Sequence, residues 1–253
     1  MAAPHPWPHP TRVLSVDQCS DDYVLALAPH ADVVGVSPHA LDADSWSRGA
    51  ARGVPVRRPT AETILAASPD VVVRYWNADP RLDALLRRRG IAVIELADAH
   101  DFRGVAADVR KVALALHASA KGERLIAEMD AKLKSSRGAW GGRRALYLTP
   151  GGFTAGSDTL VSAVMQAAGL TNVVTSQGYG PVSLEKLALH PPDLVVLGFF
   201  DEKNGGRWDV GRRPLVRRIV QGRTAASLPA ELLGCPAWFA ADATLRLAQA
   251  ARR

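Results

Sequence analysis

The sequence predicts an α/β fold of two similar lobes with mostly parallel sheets, joined by one long α-helix. Three observations carry this. Short β-branched runs alternate with helical segments from residue 12 onward, the signature of parallel strands with crossover helices. One phrase occurs twice: ETILAASPDVVV at 62–73 and EKLALHPPDLVV at 185–196, each with Glu, then Pro seven and Asp eight residues later, then an apolar run. Between the copies, residues 102–137 contain no proline and only two glycines, Gly104 and Gly122. The offset of 123 residues between Glu62 and Glu185 is far too long for a solenoid repeat and suits two lobes side by side.

Taken in order, residues 12–16 read as a first strand, 21–27 as a helix and 33–37 (VVGVS) as a second strand. A helix over 61–67 ends at Pro69, because proline breaks the ladder and restricts Ser68. Residues 71–75 then read as a buried strand, 81–89 as a helix stopped by Gly90, and 91–96 as a strand. Val105, Val109, Val112 and Leu116 form one helical stripe and Leu125, Met129 and Leu133 another, so two helices broken near 117–122 are expected. The pattern restarts with a strand at 145–149, a helix at 160–168, a strand at 172–175, the second Glu helix at 183–189 and a strand at 193–197. The expected domains are a flexible tail at 1–11, a first lobe at 12–101, a helical linker at 102–140 and a second lobe at 141–253.

Composition narrows the function classes. At 253 residues and 47% hydrophobic the chain can bury a sizeable core, yet no apolar run reaches the roughly 18–20 residues of a membrane span. The net charge of +6 is spread out, and short basic clusters such as Arg87–Arg89 lack the interleaved aromatics of a nucleic-acid groove, so no nucleic-acid partner is expected. The start, MAAPHPWPHP, has neither a charged n-region nor an apolar h-region and does not read as a signal peptide. No GxSxG elbow, Walker A or dinucleotide fingerprint occurs; GGFTAGS reads as a tight strand-to-helix turn where a ligand approaches the backbone.

The duplicated TAETILAASPDVVV and SLEKLALHPPDLVVL, the VVGVS strand and the RALYLTPGGFTAGSDTLVSAVMQAAGLTNV stretch resemble the periplasmic substrate-binding proteins of ABC importers. The likeness is to the helical-backbone group that carries cobalamin, ferric siderophores and haem, and it covers nearly the whole chain. It implies two Rossmann-like lobes joined by a long rigid α-helix, a ligand cleft between the lobes and no enzymatic activity. It implies a monomer in the periplasm, its signal peptide removed, that hands a small molecule to a permease. Glu62 and Glu185 would then be docking pegs, one per lobe, meeting arginines on the permease; the bare alternative is a carboxylate favoured in a helix's first turn.

In such a fold ligands bind at the carboxyl ends of the strands. Those ends carry Asp17, Gln18, Ser37 to His39, Tyr75 to Asn77, Phe153, Tyr179, Phe199 and Phe200. Trp76 follows a strand directly, and Trp238 belongs to a late Trp–Phe pair at places where the cobalamin-binding members carry aromatics. Flat rings suit a large planar metal chelate, since apolar burial needs no fixed hydrogen-bond pattern. The candidate ligand set is thus Trp76, Trp238, Tyr75, Phe153, Tyr179, Phe199, His39 and Gln18, with a corrinoid favoured slightly over a ferric siderophore or haem. Each tryptophan could instead plug a lobe core. No catalytic residue, catalytic cofactor or resident metal is expected. Cys19 and Cys235 are expected as two free, partly buried thiols, with an inter-lobe disulfide or a thiol–metal contact as alternatives. Readings of another class are a nitrogenase-like metallocluster protein, which needs more than two cysteines, and a sensor subunit that no longer transports.

Overall fold

Two four-stranded parallel sheets organise the chain. The computed structural model describes residues 11–75, 79–201 and 214–252. They fall into two units: residues up to Asp98 with Gly104–Ile126, and Ala99–Arg103 with Ala127 onward.

The first unit runs β1 (Val13–Ser15), α1 (Gln18–Leu27), β2 (Val33–Gly35), α2 (Ala61–Ala67), β3 (Val71–Arg74), α3 (Pro80–Arg88) and β4 (Ala92–Glu95). All pairings are parallel, and the order is β2-β1-β3-β4. The Val-rich strands are buried on both faces, as a doubly covered sheet demands. On one face Ile64 and Ala67 of α2 and Leu86 of α3 pack against Leu14, Val34 and Val72. Each such fully buried aliphatic side chain contributes about 1.5–3 kcal/mol.

The first copy of the repeated phrase closes this layer. Ser68 ends α2 in the left-handed region at φ 47°, Pro69 is buried, and Asp70 accepts the Arg12 backbone N–H at 2.8 Å. The Arg12 guanidinium in turn donates to the carbonyls of Ala67 and Ser68, capping the helix's free C-terminus. The start of β1 is thereby fixed to the start of β3.

Helices α4 (Phe102–Ala115) and α5 (Ser119–Ser136) follow, with the expected break marked by His117 at φ 54°. Gly122 lets them cross closely, since a Cβ there would lie 2.7 Å from the Ala113 Cβ. Along α5 the chain passes from the first unit to the second.

The second unit comprises β5 (Arg144–Leu148), β6 (Phe153–Ala155), α6 (Leu160–Ala167), β7 (Thr171–Asn172), β8 (Tyr179–Pro181), α7 (Leu184–Leu189), β9 (Leu194–Gly198), α8 (Pro214–Val220), β10 (Thr224–Leu228) and α9 (Ala240–Ala250). Its parallel sheet has the order β10-β9-β5-β7. Read from the other edge, the first, second, third and fourth sheet strands of each unit fall in the same order, 2-1-3-4. The unit adds an antiparallel ribbon, β6 with β8. Gly156, next to that ribbon, has no room for a side chain, because a Cβ would fall 1.9 Å from the Ser176 carbonyl oxygen. At Gly156 of the GGFTAGS stretch the close approach is thus made by the chain's own backbone. Indole Trp140 donates to the Leu247 carbonyl at 2.9 Å and ties the unit's first loop to α9.

The cysteines correct the expectation of free thiols. Cys19 and Cys235 are buried, neither is free, and both are disulfide-bonded. Sequence spacing carries no information on sulfur–sulfur approach, which is what decides pairing. Among the described residues no helix is long and apolar enough to cross a membrane.

Candidate functional site

In a 2-1-3-4 sheet the crossovers leave the first strand in opposite directions, so a crevice opens at the carboxyl ends of the first and third strands. In the first unit that point lies between β1 and β3, and Asp17 fills it. Asp17 caps α1 by accepting the Ser20 N–H at 2.9 Å, and its other oxygen accepts the Tyr75 N–H at 2.7 Å. Gln18 opens α1 and is half-buried. Tyr75 follows β3 and donates its phenol O–H to Asp98 Oδ1 at 2.6 Å. His39 follows β2, is exposed, and its Nδ1 lies 2.8 Å from Asp42 Oδ2. Three candidate residues thus stand at the ends of three adjacent strands. Trp76 lies outside the described residues.

Behind this edge two aspartates on α1 are buried. Asp21 accepts from the Ser15 and Ser37 hydroxyls and from the Ser37 N–H at 2.9 Å, and Asp22 accepts the Ser47 N–H at 3.1 Å. Burial pushes Asp21 up to about 6 against the opposing pull of these hydrogen bonds, with Asp17 adding to the rise. Asp22 is pushed up to about 7 by burial, opposed by Ser47 and helped by the neighbouring Asp21 and Asp17. Both hold the segment after β2 onto the sheet.

Beyond β4 lies a pocket of about 480 Å³ lined by Tyr75, Glu95, Leu96, Ala97, Asp98 and Lys111. Lys111 Nζ donates to the Glu95 carbonyl at 2.9 Å and to the buried Asp108 at 3.2 Å. Buried Arg74 pairs through Nη2 with Asp83 at 2.8 Å and Glu95 at 3.0 Å.

In the second unit the ribbon presents Phe153 and Tyr179, 51% and 61% exposed. Phe153 lies opposite Pro181 and Ala155 opposite Tyr179, so the two aromatics share one face as diagonal neighbours about 7–8 Å apart. Phe199 follows β9 in the left-handed region at φ 64°, where an aromatic residue is uncommon, and is half-buried. Trp238 is 8% exposed and packs edge-on to Phe239, with centroids 5.5 Å apart. The ribbon's Phe153 and Tyr179 are the more exposed aromatics of this unit.

Glu62 and Glu185 occupy the same step in the two units. Each is the second residue of the helix that feeds the third strand, α2 into β3 and α7 into β9, and each is exposed. Among the described residues no group of three His, Cys, Asp or Glu side chains could hold a metal ion. Sequence reasoning passed over Glu95, Asp98 and Lys111; the strand–Ala–Asp pattern at 92–98 signalled only a strand end.

A family model described as "Periplasmic binding protein" matches residues 13–221. The chain belongs to this family. A cobalamin-binding protein of Halobacterium salinarum is 25% identical over 199 residues, covering 75% of this chain and 54% of that protein. The chain thus spans about half the length of the curated relatives it matches. A periplasmic heme-binding protein from Pseudomonas aeruginosa superposes with a TM-score of 0.75 at 23% identity, over 96% of this chain and 92% of that one. An ABC-type Fe3+-hydroxamate transport system structure from Saccharomonospora viridis gives 0.71 at 19%, over 95% and 93%. At these identities the two solved structures share the fold, and the family's periplasmic binding architecture accounts for the paired sheets.

Proposed function

We propose that this protein is the substrate-binding component of an ABC importer, working in the periplasm, that captures a metal chelate and delivers it to its permease without chemical change. One observation carries the reading most: an exposed glutamate recurs at the same helix position in two sheets of identical strand order. Two carboxylates so placed are suited to bivalent docking on a permease with two matching halves. The ligand groups are Gln18, His39 and Tyr75, at the strand carboxyl ends of one lobe, with Phe153 and Tyr179 of the ribbon and Phe199 after β9 from the other. Trp76 and Trp238 complete the proposed set.

A corrinoid is the favoured cargo. The relative named for cobalamin supports it, and the exposed aromatics Phe153 and Tyr179 on one side of the ribbon suit a broad planar ligand. Haem or a ferric hydroxamate is the second reading, supported by the names of the structures that share the fold. Tryptophan-fluorescence titration with cyanocobalamin, haemin and a ferric hydroxamate tests this. Saturable quenching by cyanocobalamin at micromolar or lower concentration is expected, and silence with all three ligands would sink the chelate reading.

A further inference from the structure

The pocket beyond β4 differs in charge from the chain around it. The protein carries a net charge of +6, yet four carboxylates (Asp83, Glu95, Asp98 and Asp108) surround this edge against two cations, Arg74 and Lys111. Both cations are committed: Arg74 to Asp83 and Glu95, Lys111 to Asp108 and the Glu95 carbonyl. Asp83 is likewise held by Arg74, and Asp108 by Lys111 and the Ala97 N–H, but Glu95 and Asp98 each keep one oxygen over. Glu95 uses Oε2 for Arg74 and Asp98 uses Oδ1 for Tyr75, so among the described residues Oε1 of Glu95 and Oδ2 of Asp98 accept no hydrogen bond. Both residues line the cavity, beside the Tyr75 ring.

An ionised carboxylate only accepts hydrogen bonds, so these oxygens welcome N–H donors and repel another carboxylate. We propose that this pocket is a selectivity subsite, taking an uncharged amide at the ligand's periphery and turning away ligands that present carboxylates there. This rests on the metal-chelate reading above and narrows it: planar chelates edged with carboxamides fit, and those edged with carboxylates do not.

The cleanest probe is a pair of corrinoids with the same macrocycle, cyanocobinamide with its amides intact and cyano-cobyrinic acid with carboxylates in their place. By isothermal calorimetry at pH 7.5, wild type is expected to bind the amide form at least tenfold more tightly. The double variant Glu95→Gln, Asp98→Asn is expected to cut that preference at least fivefold, mainly by gaining affinity for the acid form. Asp98→Asn alone keeps an oxygen for the Tyr75 hydroxyl, so it remains interpretable if the double variant folds poorly. A preference unmoved in folded Asp98→Asn, or a wild type that favours the acid form, overturns the subsite while leaving the transport reading intact. Failure of both corrinoids, haemin and a ferric hydroxamate to bind overturns both.

Discussion

The two units share a strand order but secure their carboxyl ends differently. In the first, carboxylates do it: Asp17 bridges the ends of β1 and β3, and Asp21 and Asp22 anchor the segment after β2 from inside α1. In the second, Asp201 accepts the Ala230 N–H just past β10 and Asp158 accepts the Gly178 N–H, while hydroxyls and backbone do the rest. Thr149 accepts the Phe153 N–H, Thr159 caps α6, and the β6–β8 ribbon covers the edge. One topology therefore admits an edge backed by two buried carboxylates and an edge bordered by an aromatic ribbon.

The equivalence of the lobes is tested most severely at Glu62 and Glu185. Reversing both to Lys should lower uptake through the cognate permease by roughly tenfold or more, since charge juxtaposition across an interface costs several kcal/mol. Each single reversal should give an intermediate loss, and unfolding free energy should stay within about 0.5 kcal/mol because both side chains are exposed. Full loss from one reversal and none from the other would break the equivalence.

The next largest effect belongs to the first unit alone. Asp83→Ala strands the Arg74 guanidinium, 6% exposed, with only the more solvated Glu95 beside it. Stability should fall by about 3–5 kcal/mol, read from the urea midpoint. A loss below about 1 kcal/mol would mean that Arg74 finds water or another partner there.

A third effect concerns pH. Asp22 has a folded pKa of about 7, above its ordinary 3.8, so the folded state holds that proton more tightly than the unfolded chain. Its contribution is fully present below about pH 4 and is lost as pH rises through 7, by up to about 1.4 kcal/mol per pH unit. Asp22→Asn keeps an oxygen for the Ser47 N–H and removes the titration. The variant should therefore gain on wild type, in relative Tm, between pH 4 and pH 8. Parallel pH profiles would show that Asp22 is ionised at no cost.

Much of this was legible from local chemistry. The paired helices follow from Glu, Pro and Asp at fixed spacing, and the strands from Val runs buried on both faces. The α4–α5 break was visible in the interrupted apolar stripes. What escaped depends on tertiary placement. Asp21 and Asp22 look like the solvated first turns of a helix until Ser37 and Ser47 fold over them. The β6–β8 ribbon lies in glycine-rich sequence with no alternation to announce it, and its pairing joins residues about 25 apart. Trp238 shows the limit of reading aromatics: nothing local in the sequence announces that only 8% of it is exposed.

The Lys111 contact to the Glu95 carbonyl has a consequence for the crowded compartment the family inhabits. Glu95 ends β4, the outermost strand of its sheet, where unmet carbonyls would offer a second chain somewhere to add a strand. A lysine ammonium seated on that carbonyl blocks the addition and leaves a charge in its place. The same side chain that helps shape the pocket thereby puts a charge on the open edge of the sheet, one of the features that discourage strand addition there.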